Sequence, residues 1–169
     1  MGKLLKLPVP EVPAALKGNY DNRVRKQAIR SSAWLIECAA ETLGGDIPLD
    51  PCAHRTKRFH FARENWTSAA LERPWHKPTY ANVPFKWLVS WLQYAQLQAH
   101  QTGLPTMVLG PWRSHRLGYC EALRGATVVY FKAFPFEGYA NSPPFPVTLT
   151  IWNTDRWPRT PYEMARQAW

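Results

Sequence analysis

Three segments in the second half of the chain, Thr106-Met-Val-Leu-Gly110, Ala126-Thr-Val-Val-Tyr-Phe131 and Val147-Thr-Leu-Thr-Ile-Trp152, are β-branched or apolar runs of strand length. Such side chains pack well on a pleated surface and lose rotamer freedom in a helix, so the runs predict strands. Segments with helical spacing lie among them. From Val83 to His100, Phe85, Leu88, Val89, Leu92 and Gln96 recur at helical intervals, Trp87, Trp91 and Tyr94 fall on an adjoining face, and Pro84 suits the first turn. Arg113 to Leu123 can form a second helix between the first two strands. Upstream, Trp34, Leu35, Cys38, Ala39 and Thr42 share one helical face until Gly44-Gly45 ends it, and Ile47 to Cys52 reads as a short buried strand. Strands alternating with helices predict an α/β sandwich with a mostly parallel sheet.

The 169 residues suit one domain with one active site. Within them, 31–154 carry the α/β pattern, and 155–169 look like an irregular tail. Residues 1–30 hold Lys3, Lys6, Lys17, Arg23, Arg25, Lys26 and Arg30 against Glu11 and Asp21, and Pro8, Pro10 and Pro13 interrupt any helix. They predict a basic, extended arm, which can lie along phosphates or wrap its own domain. Over the whole chain 21 Lys and Arg face 12 Asp and Glu, a formal +9. That charge makes a polyanion such as nucleic acid a candidate partner, although a basic surface also serves solubility. The nine Trp can stack on bases as well as fill a core.

Cys38, Cys52 and Cys120 lie too far apart for a Cys-x-x-Cys site, and Cys52-Ala53-His54 has no companion pair at zinc-like spacing. Reduced thiols and no metal are expected. No apolar run approaches the roughly 18 residues of a membrane span, and the Met-Gly-Lys-Leu-Leu-Lys start lacks the apolar region of a secretion signal, so a cytoplasmic protein without a membrane partner is expected. The oligomeric state is left open.

In an open parallel sheet, ligands bind beyond the carboxyl ends of the strands. Two junctions there carry polar groups. Leu49-Asp50-Pro51-Cys52-Ala53 ends an apolar strand on an acid, and Tyr80-Ala81-Asn82-Val83-Pro84-Phe85 leads an amide, a proline and an aromatic into the long helix. Taken singly, Asp50 can cap a turn and Asn82 can cap the helix.

Asn82-Val83-Pro84-Phe85 resembles the (Asp/Asn)-Pro-Pro-(Tyr/Phe) motif of S-adenosylmethionine-dependent amino methyltransferases. Its surroundings resemble the small phage-type DNA N6-adenine methyltransferases over most of the chain. Ser32-Ala33-Trp34-Leu35 is similar to that family's Thr-Pro-x-Trp-Leu opening, and Leu49-Asp50-Pro51-Cys52-Ala53 to its Leu-Asp-Val-(Cys/Ala)-Ala strand. Leu71-Glu-Arg-Pro-Trp75 corresponds to a Leu-x-x-x-Trp. Leu109-Gly-Pro-Trp-Arg113 resembles Leu-Leu-Pro-x-Arg, and Asn141-Ser-Pro-Pro-Phe-Pro146 resembles Asn-Ser-Ala-Pro-Phe-Pro. Six blocks in one order carry more weight than a four-residue motif.

The resemblance implies a Rossmann-like methyltransferase sandwich, S-adenosylmethionine as methyl donor and DNA as partner. It places Asn82, Val83, Pro84 and Phe85 at the catalytic centre, and Asp50, with Trp34, Cys52 and Ala53, on the cofactor side. Arg23, Arg25, Lys26, Arg30 and Arg113 are the expected DNA contacts. The motif suits the chemistry, because an adenine N6 amine is a poor nucleophile while its lone pair is conjugated into the ring. The Asn82 side-chain oxygen and the Val83 carbonyl can each accept one N6 hydrogen and leave the lone pair facing a methyl donor. Phe85 can stack on a base extruded from the duplex. Two positions depart from the family: Val83 replaces a proline, and Thr67-Ser68-Ala69-Ala70 stands where an acidic segment is usual. A second expectation is therefore a non-catalytic homologue that binds DNA or another partner.

Overall fold

The protein is described here by a computed structural model, which covers residues 30–131, 136–137 and 143–154. The arm up to residue 29, with Arg23, Arg25 and Lys26, lies outside the described residues, as do Asn141, Ser142 and the tail 155–169. A six-stranded sheet organises the rest. Its strands are β1 (Leu49–Asp50), β2 (Glu64–Asn65), β3 (Thr79–Asn82), β4 (Thr106–Pro111), β5 (Thr127–Phe131) and β6 (Val147–Trp152), in the spatial order β2-β1-β3-β4-β6-β5. The pairs β1–β2, β1–β3 and β3–β4 are parallel, and β6 runs antiparallel between β4 and β5. The five other strands therefore point one way, in the order 2-1-3-4-5. That order reverses between β1 and β3, and such a reversal opens a crevice beyond the carboxyl ends of the two strands.

Helices cover both faces. Leu35 and Ala39 of α1 (Ala33–Thr42) belong to one apolar cluster with Tyr80, Met107, Leu109, Val129, Leu149 and Ile151. Trp91, Leu92, Ala95 and Ala99 of α2 (Leu88–Thr102) and Tyr119 and Ala122 of α3 (Tyr119–Ala122) belong to the other, with Ala81, Val108 and Trp152. Successive strand residues alternate between the two clusters, as the two-residue period of a strand requires. Burial on both sides explains why β4 reads as a nearly continuous apolar run and why only threonines interrupt the apolar residues of β6.

Three elements differ from the sequence pattern. The strand expected from Ile47 to Cys52 is confined to Leu49–Asp50, because Asp50 Oδ1 accepts the Cys52 N–H at 2.9 Å and turns the chain. The long helix starts at Leu88 rather than Val83. Val83 N–H instead donates to Leu109 O at 3.3 Å, Pro84 is extended with ψ 130, and Phe85–Trp87 makes one 3-10 turn. Trp91 and Tyr94 face the core while Val89 and Gln96 are half-buried, so the buried stripe is rotated from the expected one. The helix expected from Arg113 to Leu123 is only Tyr119–Ala122, since Gly118 at φ 79 takes the left-handed conformation just before it. No described helix is long and apolar enough to cross a membrane.

Candidate functional site

Parallel pairing of Leu49 with Thr79 sets Asp50 level with Tyr80 and carries Asn82 two residues further toward the crevice. The two residues singled out at the strand ends thus flank the point where the strand order reverses. Asp50 is 3% exposed, and burial pushes its carboxyl up to about 7, against the lowering effect of the Cys52 N–H. A buried acid at a topological switch point, with its charged form destabilised, marks a candidate ligand site. Asp50 also makes the turn that a capping acid would make.

Asn82 is held by a bond between distant parts of the chain. Its Nδ2 donates to Ser31 Oγ at 3.2 Å, and Ser31 Oγ is 2.6 Å from the buried Tyr80 hydroxyl. Burial, together with the nearby Asp50 charge, keeps Tyr80 protonated. This contact holds the Asn82 amide, which has both a donor and an acceptor end, against the Ser31–Tyr80 pair. Asn82 does not cap α2, whose first residue is Leu88. Next to Ser31, Ser32 Oγ is buried and makes no hydrogen bond among the described residues.

The catalytic tetrapeptide expected from the sequence lies at this crevice. Val83 buries its side chain and donates its N–H to β4, so its carbonyl is the polar group it can offer a ligand. Phe85 is half-buried, with its ring centroid 5.5 Å from Phe145, edge to face, and 6.2 Å from Phe136. Arg113 sets its guanidinium 5.1 Å over Phe145. Trp112 N–H donates to Pro146 O at 2.9 Å and fastens that segment to the end of β4. Three blocks distant in sequence therefore meet around Phe145, packed by the Phe85 ring and the Arg113 guanidinium.

The remaining expected residues are more dispersed. Trp34 packs edge to face on Phe131, the last residue of β5, with centroids 5.9 Å apart. Cys52 is half-buried and Ala53 fully buried, its N–H donating to Trp66 O at 2.9 Å. Arg30 is ion-paired with Glu137 at 3.1 Å and stacked 4.2 Å over Phe59. Trp75, from the Leu71–Trp75 block, is a core residue that packs on Trp91 and Tyr94. At the carboxyl end of β2, Asn65 Nδ2 is tied back to Ala62 O, and Glu64 is engaged by Lys77 at 2.7 Å and by Trp66 Nε1 at 2.6 Å. No acid follows until Glu72.

Sequence reasoning missed Ser31 and Tyr80 as partners of the site, since their contact spans 49 positions. Phe145 lay in a matched block without a role. Among the described residues no group of three His, Cys, Asp or Glu could hold a metal ion. In comparisons with family models, curated proteins and solved structures, nothing matches the chain.

Proposed function

We propose that the protein is a DNA N6-adenine methyltransferase of Rossmann-like architecture that uses S-adenosylmethionine. The observation that carries this reading is the placement of Asp50 and Asn82 on adjacent strand ends at the switch point, with Val83–Phe85 continuing from the end of the same strand as Asn82. The resemblance of the six sequence blocks adds the class of reaction.

The residues around Asp50 fit the donor in part. A buried carboxyl gains from a cationic neighbour, so Asp50 would hold the amine-bearing or sulfonium-bearing part of the donor, with the Cys52–Ala53 backbone beside it, whereas Trp34, packed on Phe131 of β5, stands apart from Asp50. The ribose-binding acid usual at the end of the second strand has no counterpart at residues 65–70. When bound, S-adenosylmethionine supplies an electrophilic methyl group on sulfur. The chain's own groups do the rest. Asn82 Oδ1 accepts one N6 hydrogen of the target base and the Val83 carbonyl accepts the other, which draws the lone pair out of conjugation. Phe85 stacks on the extruded base, and Phe145 and Phe136 hold the Phe85 ring in place.

Incubation of the full chain with labelled donor and mixed-sequence duplex DNA tests the proposal, with labelled N6-methyladenine as the expected product. Absence of that product under conditions where the DNA is demonstrably bound overturns it. The missing acid after β2 favours one second reading, a DNA-binding homologue that does not transfer methyl groups. Calorimetry with the donor separates the two, because that homologue has a blind donor site.

A further inference from the structure

Between Pro51 and Arg63 the chain contains Arg55, Lys57, Arg58 and Arg63, with His54 and His60, and no acidic residue. Arg63 is paired with Asp46. Arg55, Lys57 and Arg58 are all exposed. This loop leaves the carboxyl end of β1, the same end of the sheet that presents Asn82.

The loop is braced, which distinguishes it from a solvated charge run. Lys57–Phe59 form a 3-10 turn, closed by Phe59 N–H to Thr56 O and His60 N–H to Lys57 O, both at 3.0 Å. Thr56 N–H donates to His54 Nδ1 at 2.9 Å, and His60 Nε2 donates to His54 O at 2.6 Å. The Phe59 ring lies against two guanidiniums, Arg30 at 4.2 Å and Arg58 at 4.6 Å, and meets the His54 ring edge-on at 4.9 Å. Burial, then the charge of Arg30, hold His54 below the usual histidine range, so its ring serves as packing while the cations supply the field.

Arg30 also connects the loop to the site. Its ring contact reaches Phe59, and the next residue, Ser31, holds the Asn82 amide at 3.2 Å. A polyanion lying on Lys57 and Arg58 is therefore brought next to the base-binding groups. Long aliphatic stems cost entropy when they are ordered on a ligand, and a loop already fixed in shape reduces that cost.

We propose that the braced loop from His54 to His60 is a docking surface for the phosphate backbone of duplex DNA, with Lys57 and Arg58 as phosphate contacts and Arg30 and Phe59 as their support. The proposal rests on the methyltransferase reading for its choice of DNA. It adds a contact surface beyond the arm and Arg113.

The test is the salt dependence of duplex binding by the full chain, compared with Lys57→Ala, Lys57→Ala/Arg58→Ala and Arg124→Ala. Arg124 precedes β5 at the opposite end of the sheet and serves as the charge-matched control. Each lost phosphate contact lowers the log-log salt slope by about 0.9, so the double variant is expected to lose about 1.8 and to bind at least ~10-fold more weakly at low salt. Arg124→Ala should leave the slope unchanged. Unchanged melting temperature and donor affinity in each variant show that the fold and the Asp50 side are intact. A wild-type slope in the double variant, an equal loss in Arg124→Ala, or no duplex binding by the wild type overturns the proposal. Loop-dependent DNA binding without methyl transfer supports the docking surface and defeats the enzyme. Methyl transfer with a loop-independent slope does the reverse.

Discussion

Burial of Asp50 costs stability at the carboxyl proposed to face the methyl donor. Its ordinary value near 3.8 is raised to about 7 by burial, so the folded protein binds the proton more tightly than the unfolded chain. Below pH 4 both states are protonated and the group is neutral in effect. As pH rises from about 4 to about 7 the unfolded chain releases its proton while the folded chain keeps it, so this group lowers stability across that window and levels off above it. That rise corresponds to roughly 4 kcal/mol. Asp50→Asn keeps an oxygen for the Cys52 N–H and removes the charge, and it is expected to gain on the wild type in urea unfolding at pH 8 but not at pH 4. The same variant is expected to lose donor affinity in calorimetry. A stability difference that does not widen between these pH values would falsify the buried-acid account. Asn82→Ala isolates the other side of the crevice. It deletes the half-buried hydrogen bond to Ser31, worth about 1 kcal/mol, and should leave the circular dichroism and donor binding nearly unchanged. Methyl transfer should fall by roughly 100-fold or more, because the base amine is no longer aligned. A proportional loss of donor binding would move Asn82 to the cofactor side.

At the scale of elements, α2 joins the sheet to the irregular segment between β2 and β3. Gln98 on its inner face is 4% exposed, and its Oε1 accepts the Trp75 N–H at 2.8 Å, while Trp75 packs on Trp91 and Tyr94 of the same helix. Gln98→Leu keeps the volume and leaves that backbone N–H buried without an acceptor, so a loss of about 1–3 kcal/mol in denaturant unfolding is expected. A neutral result would show that water replaces the side chain. The sequence pattern carried the strands β4, β5 and β6 almost to the residue, because β-branched and apolar residues fill all three, with β4 and β6 buried on both faces and β5 half-buried at Thr127, Val128 and Tyr130. The ends of β1 and α2 were not legible. They are set by the Asp50 side-chain turn and by the Val83 bond to Leu109, and neither contributes to hydrophobic period. Glu64–Asn65 gave no strand signal, since β2 is two polar residues paired at the edge of the sheet.

On the scale of the whole molecule, the strand-end positions of Asp50 and Asn82 could be read along the chain, but the contacts that make a site of them could not. Ser31 reaches Tyr80 and Asn82 across 49 and 51 positions, and only the fold brings them together. Charge, by contrast, is additive along the sequence. Residues 1–29 hold six Lys and Arg against two acids, close to half of the formal +9. Removing them while keeping Arg30, which braces Phe59, separates the arm from the loop. If every arm cation touches a phosphate, the log-log salt slope on duplex DNA falls by about 5, at about 0.9 per contact. Turnover at saturating DNA should stay within a few-fold of the full chain, because Ser31, Asp50, Asn82 and Phe85 all remain. Titrations from low to moderate salt, with turnover measured on the same preparations, provide the check. An unchanged slope would assign the arm no part in DNA binding and leave the braced loop to account for the salt dependence, whereas lost turnover at saturating DNA would place residues 1–29 within the catalytic architecture.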